Sequence, residues 1–299
     1  FQWVAAHEDL AALRALAEYT RARHYPDTPP GDAVALFDAI ADRQAHLIAR
    51  WQTVGFIHGV MNTDNMAVSG ETLDYGPCAF MDRYDPDTVF SSIDTMGRYA
   101  YGNQPAIARW NLARLAEALL PLFAEDTDAA VARATESLTN FEQRFADAWL
   151  DLMRAKLGLF TGEPGDRELI EDLLAWMQER SADYTNTFSA LARGRRPDAC
   201  VEPDRAFDAW HDRWTHRRER DAHSVEAGLA RMQAHNPVVV PRNHRVEAAL
   251  GAAAAEHDLT PLRELLDVVR TPFDYERRRD AWWLEPAPPD PHYRTFCGT

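Results

Sequence analysis

Apolar residues recur at helical spacing along most of this chain. Leu10, Leu13, Leu16 and Ala17 form one stripe, and Val34, Phe37, Ile40, Ala41, Leu47, Ile48 and Trp51 form a second. Asp32 is placed to cap the second helix and Gly55 to end it, while Pro26, Pro29, Pro30 and Gly31 mark the connection before it. A third helix is predicted over 106–123, opened by Gln104–Pro105 and turning Ile107, Leu112, Leu115, Leu119 and Leu122 inward. Further amphipathic patterns cover 127–158, 166–192, 204–233, 243–257 and 260–270. Beyond Pro272, Pro286, Pro288, Pro289 and Pro291 predict an extended surface tail. The pattern therefore divides into a helical body, 1–271, and a tail, 272–299.

One stretch, 55–102, departs from helical periodicity. Met66–Ser69 and Thr72–Tyr75 read as short strands, and Gly70–Glu71 between them as a tight hairpin turn. An irregular island held by rigid helices is where function tends to lie.

Composition narrows the classes. The 299 residues can bury a real core, and no apolar run is long enough to span a membrane. A net charge of −15 opposes binding to nucleic acid. Lys156 is the sole lysine among the 32 basic residues, and it reads as an ordinary surface residue on a helix. Cys78, Cys200 and Cys297 lie far apart without paired spacing, so the expectation is a reducing, cytoplasmic compartment; a monomer is expected as well. The chain opens on Phe1, almost directly in a helical pattern, and the expectation is a piece of a longer protein.

The island runs His58-Gly-Val-Met-Asn-Thr-Asp-Asn-Met66 and then Asp74-Tyr-Gly-Pro77. Magnesium takes hard oxygen ligands, commonly one or two protein groups together with phosphate oxygens and water. Asn65 and Asp74, on opposite arms of the predicted hairpin, supply such a pair, and Asp64 could accept a proton from an attacking hydroxyl. The order also fits the protein-kinase template of His-Arg-Asp, Asn and Asp-Phe-Gly. His58 and Asn65 keep the seven-residue separation, and Asp74-Tyr75-Gly76 stands for Asp-Phe-Gly. Val60, however, occupies the base position and has no proton chemistry. Taken singly, an Asp-Asn pair is usually a turn or a cap; order and spacing together carry the reading. His58 reads as a brace for the loop.

The run from Gly55 to Met66 with Asp74-Tyr-Gly-Pro77 closely resembles the selenoprotein O family. So do Gly97-Arg-Tyr-Ala-Tyr101, Asn103-Gln-Pro105, Trp110-Asn-Leu-Ala-Arg-Leu115, Arg180-Ser181, Asp183-Tyr-Thr185, Thr187-Phe188, Asn236-Pro237 and Arg242-Asn243. The resemblance implies a mainly α, kinase-like C-terminal lobe whose N-terminal nucleotide-binding lobe is missing from the sequence. It implies transfer of AMP from ATP, bound flipped, to Ser, Thr or Tyr hydroxyls of proteins, with Mg2+ or Mn2+ as the metal. On it, Asp64 is the proton acceptor, Asn65 a metal ligand, and Asp74 the residue that binds metal and ATP.

Two departures temper this. No glycine-rich phosphate loop occurs in the sequence, so the chain alone is expected to be nearly inactive. Some relatives pair a loop cysteine with one near the C-terminus; here Phe90 stands at the loop position, and a Cys78–Cys297 bond would need Cα atoms within about 7 Å. A free terminal thiol is expected. Arg98 reads either as a contact to phosphate or an acidic substrate or as a buried salt bridge, and Trp51 and Trp110 as core. The rival functions are phosphoryl transfer and a non-catalytic nucleotide-binding scaffold.

Overall fold

In the computed structural model, residues 1–201, 203–277, 281–288 and 293–296 are described. Twelve helices dominate them: α1 Gln2–Ala6, α2 Leu10–His24, α3 Ala33–Val54, α4 Gln104–Phe123, α5 Thr127–Lys156, α6 Asp166–Glu179, α7 Tyr184–Leu191, α8 Arg205–Glu219, α9 Val225–His235, α10 Asn243–Gly251, α11 Thr260–Val269 and α12 Ala281–Leu284. Half of them begin where a short polar side chain takes up an orphan N–H. Asp32 accepts from the Ala35 amide, and Asp9, Asp126, Asp183, Asp204 and Ser224 act likewise on α2, α5, α7, α8 and α9. Gly55 ends α3 in the left-handed conformation, at φ 72°.

Two long patterns divide. The stretch 166–192 breaks at Arg180–Asp183 into α6 and α7, and 204–233 breaks before Ser224 into α8 and α9. Apolar spacing runs across each break, but Ser181 and Ala222 adopt positive φ, 50° and 53°, which no helix accommodates. The pattern 243–257 is α10 followed by a π-helical turn, Ala252–Glu256.

The strands also fall elsewhere than expected. Only one antiparallel bridge, Met66 to Thr72, joins the two segments read as a hairpin. The two-stranded sheet pairs β1, Phe56–Ile57, with β2, Ala79–Phe80, in the register Phe56↔Phe80 and Ile57↔Ala79. It brackets the motif instead of carrying it. The arms near Gly70 are tied to α3 by side-chain hydrogen bonds, which leaves little ladder to form between them.

The core has two large parts. Helices α2–α4 and the first half of α5 enclose one; the end of α5 with α6–α9 encloses the other. Strand β1 stands at their seam, Phe56 entering the first and Ile57 the second. Val238, Val239 and Val268 make a small satellite core. In the tail, α12 is a single helical turn, and Thr295 bridges to Ser91. No helix among the described residues is long and apolar enough to cross a membrane.

Candidate functional site

A buried β1 delivers the chain to His58, and from there each residue has a structural reason for its place. Gly59 sits at φ 86°, where a Cβ would come within 2.5 Å of the Pro77 carbonyl oxygen. Only glycine lets the two arms of the motif touch there. His58 is fully buried, and its Nε2–H donates to the Leu73 carbonyl at 2.8 Å while its Nδ1 accepts from the Val60 amide at 3.4 Å. Burial lowers the pKa of the ring, so it stands neutral as a brace between the arms.

Residues Thr63–Asn65 make one 3-10 turn. The Asn65 amide nitrogen donates to the Val60 carbonyl at 3.0 Å and to Asp74 Oδ2 at 3.1 Å. Nδ2 is thus the atom that faces Asp74; Oδ1, the one atom of this side chain able to ligate a cation, comes to the carboxylate's side when the amide is turned over. Asp64, next in the turn, is exposed, as is Asp74. Of the three residues proposed from sequence, Asn65 and Asp74 are in contact, and Asp64 adjoins Asn65 in the turn. Asp74 holds φ 54°, a left-handed conformation that costs a non-glycine residue about 1–3 kcal/mol and concentrates at functional positions.

The segment is fixed from behind by polar side chains of helices. Gln104, fully buried, accepts from the His58 amide and donates to the Phe56 carbonyl, both at 3.0 Å. Asn111 donates to the Met61 carbonyl at 2.9 Å, and Gln44 to that of Ala67 at 2.7 Å. The Tyr99 hydroxyl donates to Asn62 Oδ1 at 2.6 Å, and Tyr25 to the Val68 carbonyl. Arg43 reaches the Ser69 carbonyl at 3.3 Å. Sequence reasoning missed Gln44, Gln104 and Asn111 as positioning residues. Their signal was present: each is an amide on an otherwise apolar helix face.

Other expectations change. Lys156 is 2% exposed, not on the surface; its ammonium lies over the Phe188 ring at 4.1 Å, and burial lowers its pKa to about 7. The end of α5 has turned inward there to pack on α7. Trp51 is core, donating its indole N–H to Thr72 Oγ1 at 3.0 Å. Trp110 is not, being 42% exposed with Arg98 and Arg114 stacked on it. Arg98 is exposed, so it forms no buried salt bridge. Cys78 and Cys200 are free, and burial pushes the Cys78 thiol up to about 11. Cys297, and any bond it makes, lies outside the described residues.

The donor set suits one kind of ion. Among the described residues no group of three or more His, Cys, Asp or Glu side chains converges on a metal position. An amide oxygen and one carboxylate match magnesium or manganese, which take remaining ligands from phosphate and water.

The family model described as Protein adenylyltransferase SelO matches residues 1–270. Relatives called Protein nucleotidyltransferase YdiU include that of Alcanivorax borkumensis, 49% identical over 302 residues, which cover 100% of this chain and 62% of the relative. Those of Syntrophotalea carbinolica and Halalkalibacterium halodurans are 50% and 51% identical, over 100% of this chain and 61% of each relative. The chain spans about three fifths of the length of the curated relatives it matches.

Proposed function

The chain belongs to the SelO family of protein adenylyltransferases, and on that footing we propose that it carries the metal-binding and proton-accepting part of a site that transfers AMP from ATP to Ser, Thr or Tyr hydroxyls of proteins. One observation carries this reading: the Asn65 side-chain amide meets the Asp74 carboxylate at 3.1 Å, with exposed Asp64 next to Asn65 in its turn. Asn65 and Asp74 would hold Mg2+ or Mn2+, and Asp74 would approach ATP through it. When bound, the ion supplies positive charge against the phosphate oxygens. Asp64 takes the proton of the incoming hydroxyl, being exposed and adjacent to that position. His58 and Gln104 keep the two arms in register, which matters because misplacement by an ångström is costly to transfer.

Two features favour nucleotidyl over ordinary phosphoryl transfer to the same acceptors. Val60, at the kinase base position, is buried and apolar, and the family is one of adenylyltransferases. These 299 residues contain no glycine-rich phosphate loop, and their single lysine is buried. By themselves they are expected to transfer little AMP. A kinase-like lobe acting as a monomer in the cytoplasm is the setting that accords with this.

The test splices these residues in place of the corresponding three fifths of a full-length relative. With Mg2+, label from α-labelled ATP should pass to protein, and Asp64→Ala or Asp74→Ala should abolish it. Transfer from γ-labelled ATP would make the chain part of a phosphotransferase. Undiminished transfer by both variants would remove the site.

A further inference from the structure

Beside this site, the surface changes character. Trp110, on the outer side of α4, lies between two arginines: the Arg98 guanidinium is 4.7 Å from its ring centre, and that of Arg114, one turn on, is 5.2 Å away. Among the described residues the Arg98 guanidinium has no carboxylate partner, and Met96 nearby in sequence is 90% exposed. Arg114 pairs with exposed Glu117, a contact worth little and readily exchanged. At one end, Tyr99, whose ring lies 5.7 Å from Arg98, holds Asn62 at the head of the turn that holds Asp64 and Asn65. At the other, Arg114 lines a cleft of about 240 Å³ that Phe1, Gln2, Thr63 and Asp64 also line. Ile40, Met66, Leu112, Leu115 and Ala118 make most of its wall apolar.

Charge and size together select the occupant. The chain carries a net −15, so an exposed arginine–tryptophan–arginine ladder stands against the general field and would orient an acidic partner. Tryptophan and arginine are also the residues that most often carry binding energy at protein interfaces. The cleft is smaller than the roughly 300–1,000 Å³ of small-molecule sites and suits one apolar side chain.

We propose that the ladder and cleft form the docking track for an acidic segment of the acceptor protein. Carboxylates of that segment rest on Arg98 and Arg114, and an apolar side chain fills the cleft. A hydroxyl residue next to it then reaches Asp64; this last step rests on the function proposed above, whereas the docking itself does not.

The test uses this chain and a fluorescein-labelled peptide, Glu-Glu-Leu-Ser-Glu-Glu, read by anisotropy. Binding should saturate and weaken with salt, and a Gln-Gln-Leu-Ser-Gln-Gln peptide should bind about tenfold more weakly or worse, as for loss of about 1.4 kcal/mol. Arg98→Glu and Trp110→Ala should each weaken binding by a similar factor, as should Leu115→Trp, which fills the cleft. Arg98 is exposed, so Arg98→Glu should keep the parental melting temperature and carries the test should the others unfold. Unchanged affinity in Arg98→Glu, or equal affinity for the Gln peptide, overturns the proposal. Displacement of the peptide by AMP would give the cleft to a nucleobase and also overturn it. Peptide binding that persists where the spliced enzyme transfers no AMP would refute the function and leave this track standing.

Discussion

At the residue scale, two side chains carry energetic costs that can be measured. Asp74 combines a left-handed backbone with the metal-binding role proposed for it. Asparagine tolerates that conformation as well as aspartate does but gives up the carboxylate charge. Asp74→Asn should therefore melt within about 0.5 kcal/mol of the parent while losing Mn2+ affinity by about tenfold or more. Calorimetric titration with Mn2+ checks the second half; a variant that both unfolds and keeps Mn2+ would reverse the assignment. Lys156 is the other case. Burial lowers its pKa to about 7, so between about 7 and 10.4 the unfolded chain holds a proton that the folded chain has lost. Stability then rises with pH across that window, and the whole penalty remains below it. Lys156→Met removes the charge at similar volume and should raise the melting temperature by on the order of 5 °C near pH 7. The gain should shrink towards pH 10. Equal gains at pH 7 and pH 10 would mean that the ammonium is not buried as described.

At the scale of elements, the turn that holds Asp64 and Asn65 lies in an irregular segment whose carbonyls have been given partners on helices. Asn111 is placed by α4 and supplies the Met61 carbonyl. Asn111→Leu keeps helix propensity but leaves that buried carbonyl unpaired, at a cost of about 1–3 kcal/mol. Denaturant unfolding should show this loss, and hydrogen exchange should quicken over 56–70 with α5 unchanged. The same elements show what was legible in the sequence. Helix starts were, because Asp32 announces its own cap, and so was the end of α3 at Gly55. The breaks after α6 and α8 were not, because Met177, Ala182, Tyr184 and Phe188 continue an apolar spacing through the first. The residues that turn the chain are Ser181 and Ala222, neither of which signals positive φ as glycine would. The motif was legible because its chemistry is local in sequence. Its supports were legible only in part: an amide on an apolar helix face shows in the sequence, but it does not declare which distant carbonyl it will meet.

For the molecule as a whole, the question is what joins segments remote in sequence to the strand that follows Asp74. Arg242 is buried to 2% exposure, and its Nη1 lies 2.6 Å from Asp82 Oδ1 and 2.7 Å from Asp183 Oδ2. It also donates to Asn186 Oδ1 and the Leu284 carbonyl. The next residue, Asn243, accepts from the Phe80 amide at 3.2 Å and donates to its carbonyl at 2.9 Å, acting on β2 as a third strand would. One guanidinium thus unites the segment just past β2, the start of α7, α10 and the tail, while Asn243 holds β2 itself. Arg242→Met would leave two carboxylates facing each other without a cation, at about 3–5 kcal/mol. Burial already raises the pKa of Asp183 with Arg242 present, and removing the cation can only raise it further. A raised folded-state value means that the folded variant binds protons more readily than the unfolded chain, whose carboxylates titrate near 3.9. The variant should therefore regain stability as pH falls from 7 towards 4 and lose it again as pH rises through the raised value. The triple variant with Asp82→Asn and Asp183→Asn should recover most of the loss at pH 7. Melting curves at pH 5 and pH 7 separate this from simple loss of packing, which would lower both equally and gain nothing from the two neutral partners.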